Sequence, residues 1–116
     1  MPVALFFACA VLSVTDGDTF RCRDGTRVRL AAIDAPELHG CRSGRKCAPG
    51  DPVASRASLT RLAAGRTLRC ERTGVSYGRV TAWCKMHGRI DLSCEQFRRG
   101  QAVHLVQYDR GRRLCV

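Results

Sequence analysis

Two alternating runs of apolar and polar residues, Phe20-Arg21-Cys22-Arg23 and Arg27-Val28-Arg29-Leu30, flank the pair Asp24-Gly25. An Asp-Gly pair supplies the positive φ of a tight turn, so the segment predicts a β-hairpin. Side chains alternate across a strand, which sends Phe20, Cys22, Val28 and Leu30 to one face and Arg21, Arg23, Arg27 and Arg29 to the other. The arginines of this hairpin are therefore expected outside the core.

Upstream, the apolar stretch from about Ala8 to Thr15 reads as a strand. The wider run Pro2 to Leu12 has the length of a signal-peptide core, but it lacks a basic leader and is too short to span a bilayer. Residues 1–12 are read as part of a first strand, or as the remainder of a trimmed signal. Downstream, His39 to Pro52 is rich in Gly, Pro and charge (Arg42, Arg45, Lys46) and reads as a loop that a Cys41–Cys47 bridge could pin. From Val53 to Ala64 the positions Val53, Ala57, Leu59, Leu62 and Ala63 recur at roughly helical spacing. Pro52 stands at the helix start and Gly65 just past its end. Thr67–Arg72 and Arg79–Met86 read as two further strands, and Asp91 opens a short helix that Gly100 ends.

That order predicts an α+β fold: a small five-stranded, OB-like β-barrel with two to three helices, occupying residues 1–116 as one domain. A chain of 116 residues has room for one hydrophobic core.

Composition narrows the setting. The formal net charge is +10, from 20 basic and 10 acidic residues, which favours polyanionic partners. Of the basic residues 18 are Arg, so a coding bias toward arginine is the competing explanation of the charge. Eight cysteines point to an oxidising compartment, hence a secreted or periplasmic protein. A zinc site is the weaker reading, because no Cys-x-x-Cys pair occurs and the histidines stand apart. His39, His87 and His104 are read as surface or loop residues.

The candidate chemistry lies at the two ends of the hairpin. Asp16-Gly17-Asp18-Thr19 enters it and Asp34-Ala35-Pro36-Glu37 leaves it, so antiparallel pairing can bring two acidic clusters together as a hard-oxygen site of the kind Ca²⁺ takes. Taken alone, Asp-Gly-Asp is an ordinary turn. Arg29 stands on the non-core face and Arg79 follows Tyr77-Gly78 at the start of a late strand; a guanidinium there can grip a phosphate through two hydrogen bonds.

This order of motifs resembles the staphylococcal nuclease (thermonuclease) family. The Asp-Gly-Asp-Thr turn (Asp16 to Thr19), the Arg-Leu strand running into Asp-x-Pro-Glu (Arg29 to Glu37) and the later Tyr-Gly-Arg (Tyr77 to Arg79) carry the likeness, with the helix starting at Pro52 and the segment Phe97 to Gly100. The resemblance implies a monomeric, calcium-dependent phosphodiesterase that cuts DNA or RNA with little sequence specificity and has no membrane partner. It implies Ca²⁺ held by Asp18, Asp34 and the backbone carbonyl of Ala35, with Thr19 near the metal shell, Glu37 acting on the attacking water, and Arg29 and Arg79 clamping the phosphate. Tyr77 and Tyr108 match positions beside the nucleotide, with packing inside the protein as the alternative for both. Relatives often carry an acid where this chain has Val75, and the cysteines suggest a bacterial subgroup stapled by bridges. Cys41–Cys47, Cys22–Cys70 and Cys94–Cys115 are the expected pairs among the 105 connectivities that eight cysteines allow. A non-catalytic nucleic-acid-binding module and a cationic membrane-active protein are the rival readings.

Overall fold

The computed structural model describes residues 5–41 and 46–115. Arg42 and Arg45 of the expected loop, and the start of the Pro2 to Leu12 run, lie outside the described residues.

The chain runs β1 (Phe6–Asp16), β2 (Thr19–Cys22), β3 (Arg27–Leu30), β4 (Ile33–Asp34), α1 (Pro52–Ala63), β5 (Thr67–Ser76), β6 (Arg79–Met86), β7 (Ile90–Asp91), α2 (Leu92–Arg98), β8 (Val103–His104) and a 3₁₀ turn (Val106–Tyr108). The sheet order is β3-β2-β1-β5-β6-β7, and β3 also pairs with β6 in parallel, through Val28↔Val80 and Leu30↔Ala82. That second pairing closes β1, β2, β3, β5 and β6 into a five-stranded mixed barrel, in which no long edge is left to pair with another chain. The expected α+β barrel with helices is therefore present, and β4 and β8 pair separately beside it.

The hairpin forms as its pattern dictates. Thr19, Phe20 and Arg21 face Arg29, Val28 and Arg27, and Gly25 takes φ 93° in the turn, where the Thr26 amide donates to Asp24 Oδ1 at 2.9 Å. Phe20, Cys22, Val28 and Leu30 are buried, while Arg21, Arg23 and Arg27 are exposed. β1 serves two neighbours: Phe6 to Ala10 pair with β5, and Val11 to Asp16 pair with β2 across two register shifts. Such irregularities bend a strand, which lets one strand turn the corner of a small barrel.

The helices sit on this barrel with polar seams. α1 is capped by Asp51, whose carboxylate accepts from the Val53 and Ala54 amides, and Pro52 fills its first turn. Its buried face is Ser55, Ser58, Leu59, Leu62 and Ala63. Val53, expected on the apolar face, is 65% exposed, and Ala57 is half-buried. The helix is rotated from its expected orientation because its serines meet polar partners, Ser58 the Gln96 side chain on α2 and Ser55 the Gln101 carbonyl just beyond it, which apolar spacing cannot reveal. α2 is capped by Asp91, which accepts from the Cys94 amide at 3.1 Å.

Four disulfides consume all eight cysteines: Cys9–Cys22, Cys41–Cys47, Cys70–Cys84 and Cys94–Cys115. The expected Cys22–Cys70 pair is incorrect. β5 and β6 place Cys70 directly opposite Cys84, and β1 carries Cys9 beside Cys22, so register decides both partners. A chain with this many bridges belongs to an oxidising setting. Among the described residues no helix is long and apolar enough to cross a membrane.

Candidate functional site

The turn from β1 to β2 and the segment after β4 meet at Arg29. Asp18 is only 6% exposed; its Oδ1 accepts from the Thr19 hydroxyl at 2.8 Å and its Oδ2 from the Ala35 amide at 2.9 Å. Arg29 Nη1 lies 3.3 Å from Asp18 Oδ2, and Nη2 donates to Asp34 Oδ1 at 3.2 Å. The same guanidinium donates to the carbonyls of Ile33, at 3.0 Å, and Leu30, at 3.3 Å. Arg29 is thus the hub that joins the two acidic segments at one end of the barrel. Unlike its hairpin neighbours it is largely enclosed, with a side chain 15% exposed.

Arg79 comes in from the β5–β6 hairpin. Its Nε donates to the Ser76 carbonyl at 3.3 Å and its Nη1 to the Thr19 hydroxyl at 3.5 Å. Val75 is 63% exposed, and it is the backbone of Ser76 that anchors Arg79. Partial burial pushes the Arg79 guanidinium below its ordinary value, helped by the charges of Arg29 and Arg27 and opposed by Asp18 and Glu37. A half-buried arginine repelled by two others is a place where an anion is attracted.

A cleft of about 510 Å³ opens beside these groups, lined by Arg29, Arg79, Lys46, Arg110, Tyr77 and Tyr108 among others. The tyrosine rings are 93% and 64% exposed, so neither is spent on core packing. Tyr77 at φ 50° and Gly78 at φ 76° form the tight turn between the paired Ser76 and Arg79. A bulky residue held in the left-handed region is strained by roughly 1–3 kcal/mol, and such strain clusters at functional sites. Here it projects the ring into solvent at the mouth of the cleft.

Asp18 and Asp34 offer carboxylates, both engaged by Arg29, and Ala35 meets Asp18 through its amide, while the cysteines, all bridged, offer no thiolate. Among the described residues no three His, Cys, Asp or Glu side chains cluster as metal ligands.

Of the residues read from the sequence, Asp18, Thr19, Arg29, Asp34, Ala35 and Arg79 are joined by direct contacts, and Glu37 acts electrostatically on Arg79. Tyr77 and Tyr108 line the cleft without bonding to that group. Three features escaped the sequence reading. Lys46 and Arg110 add cationic lining. His104, read as a surface or loop residue, lies on β8 with Nε2 3.0 Å from Asp109 Oδ2. The third is a buried polar clamp beneath the acidic turn. Gln96 is wholly buried; its Nε2 donates to the carbonyls of Gly17, at 2.8 Å, and Ser55, at 3.1 Å, and its Oε1 accepts from the Ser58 hydroxyl at 2.6 Å. Gly17 must be glycine here, because a Cβ would stand 1.8 Å from Ser55 Oγ. The available signal was Gln96 four residues after Leu92, a polar side chain on the core face of a short helix.

No protein-family model matches the chain, and no curated protein matches it in sequence.

Proposed function

We propose that this chain is a calcium-dependent phosphodiesterase that hydrolyses DNA or RNA with little sequence specificity, and that it works outside the cytoplasm. The observation that carries the reading is the joining of Asp18, Asp34, Arg29 and Arg79 beside a cationic cleft, with Glu37 in electrostatic range.

In this reading Asp18, Asp34 and the Ala35 carbonyl would hold the calcium, and Thr19 fixes one oxygen of Asp18. Calcium, when bound, supplies positive charge that attracts the phosphate oxygens and steadies the charge that grows on them. Arg29 and Arg79 donate paired hydrogen bonds to the same oxygens, where preorganised donors count most. In the structure Arg29 is engaged by both aspartates and by the carbonyls of Ile33 and Leu30, which fixes its guanidinium at the edge of the cleft where a phosphate would meet it. Glu37 accepts the proton of the attacking water, whose oxygen bonds to phosphorus as the ester oxygen leaves. Tyr77 and Tyr108 offer exposed rings on which bases stack without regard to sequence. The side chains that carry the reading are charged groups suited to phosphate and rings suited to stacking, neither of which distinguishes one base from another, which is why little specificity is expected.

The test is digestion of single-stranded and plasmid DNA by the oxidised chain, in Ca²⁺ and in chelator. Cutting in Ca²⁺ alone is expected. A folded chain that binds DNA and cuts it in no divalent metal overturns the nuclease and leaves a binding module.

A further inference from the structure

The outer face of the hairpin carries charge that the cleft chemistry does not use. Arg21 on β2 lies directly opposite Arg27 on β3. β3 and β6 run in parallel with Val28 opposite Val80, so Arg27 and Arg79, each one residue earlier, occupy neighbouring positions of the same row. Three arginines thus stand side by side across three adjacent strands, spaced about 4.8 Å from strand to strand. Arg29, Thr19 and Thr81 form the next row toward the cleft.

Like charges directly opposite each other destabilise a sheet, and the guanidinium of Arg79 registers the charge of Arg27. Relief is absent locally: Arg21 and Arg27 are exposed and make no ion pair or side-chain hydrogen bond among the described residues. Repulsion left standing on a surface that ends at an arginine-lined cleft is relieved by a ligand whose negative charges also come in a row.

We propose that Arg21 and Arg27 form a docking track for the sugar-phosphate backbone of a single nucleic-acid strand, outside the cleft and continuous with it through Arg79. The track rests on the nuclease reading for the strand's destination, and on register and charge for its existence. It reads no bases; it raises the affinity of long substrates over short ones and lengthens the contact with each strand.

The experiment measures binding of a labelled single-stranded oligonucleotide, and of a mononucleotide carrying a 5′-phosphate, by fluorescence anisotropy in chelator across a salt series. Native protein is compared with the R21Q/R27Q double variant, whose fold is checked by near-UV circular dichroism. Each phosphate contact on a single strand contributes about −0.7 to the slope of log K against log salt, so the variant's slope should be shallower by about 1.4. Mononucleotide affinity, which feels Arg27 only through the charge it adds beside Arg79, should fall much less than oligonucleotide affinity, with its salt slope unchanged. An unchanged slope overturns the track, as does an equal loss of mononucleotide affinity, which would put both arginines inside the cleft site. Loss of binding to phosphatidylserine vesicles with an unchanged oligonucleotide slope also overturns it, in favour of a membrane surface. Because no metal is present, the two readings fail separately: the track stands if the slope changes in a chain that never cuts, and falls if the slope is unchanged in a chain that does.

Discussion

Replacing Gln96 by leucine removes the clamp beneath the acidic turn while keeping nearly the same volume. Three hydrogen bonds go, and the carbonyls of Gly17 and Ser55 and the hydroxyl of Ser58 are left inside the protein. Each orphaned buried polar group costs roughly 1–3 kcal/mol, of which the added apolar burial of leucine returns a part, so Q96L should lose about 3 kcal/mol. For 116 residues at about 2.1 cal/mol/K each, the unfolding entropy is near 0.24 kcal/mol/K and the midpoint should fall by about 12 °C. Thermal and urea unfolding followed by circular dichroism reads both quantities. A double-mutant cycle with Ser58→Ala adds the specific check. S58A strands Gln96 Oε1 in the native background, whereas in Q96L that partner is already gone, so the coupling should exceed about 1 kcal/mol. A loss below about 1 kcal/mol in Q96L, or additive effects in the cycle, would refute the clamp.

Other expectations follow from single contacts. Removing the Cys94–Cys115 bridge as C94A/C115A frees a 21-residue span and should cost about 3 kcal/mol; non-reducing peptide mapping should recover Cys9 with Cys22 and never Cys22 with Cys70. Burial, the largest influence, raises the Asp91 carboxyl above its ordinary 3.8, against the pull of the Cys94 amide and Arg112. The folded state therefore holds that proton to higher pH than the unfolded chain, and native stability falls as pH rises from 3.8 through the folded value. D91N keeps a cap oxygen and escapes this loss, so its stability relative to native should climb across that window and level off above it; a difference that shrinks with rising pH contradicts the assignment. E37Q should lower turnover by about 10²–10⁴-fold with nucleotide affinity spared, as steady-state kinetics and equilibrium binding would show; wild-type turnover would remove Glu37 as the base.

The barrel was legible because its signals are local. Asp24-Gly25 fixes a turn and alternation fixes which face of the hairpin is buried, so Phe20, Cys22, Val28 and Leu30 were placed before any contact was known. Helix ends were legible for the same reason, through Pro52, Gly65 and Gly100. What the sequence could not give is register. The opposition of Cys70 to Cys84, the side-by-side row of Arg21, Arg27 and Arg79, and the closure of the barrel by β3 on β6 each depend on how distant strands slide past one another. Polar burial was hidden as well, since Ser55, Ser58 and Gln96 look like solvent-facing residues until the carbonyl of Gly17 is seen to need a donor. At the site, sequence order anticipated that the acidic segments of Asp18 and Asp34 could converge, and the structure added that Arg29 bridges them by holding both aspartates at once.

The central claim is hydrolysis at this arginine–carboxylate site, and the most direct measurement is the initial rate of single-stranded DNA cleavage by native protein and by Arg29→Lys, each in Ca²⁺ and in chelator. Lysine keeps a positive charge beside Asp18 and Asp34 but loses the paired donors. Cleavage by native protein is expected in Ca²⁺ only, with a rate at least about 10²-fold lower for R29K, the usual cost of losing one preorganised donor. Native-rate cleavage by a folded R29K, or undiminished cutting by native protein in chelator, would contradict it.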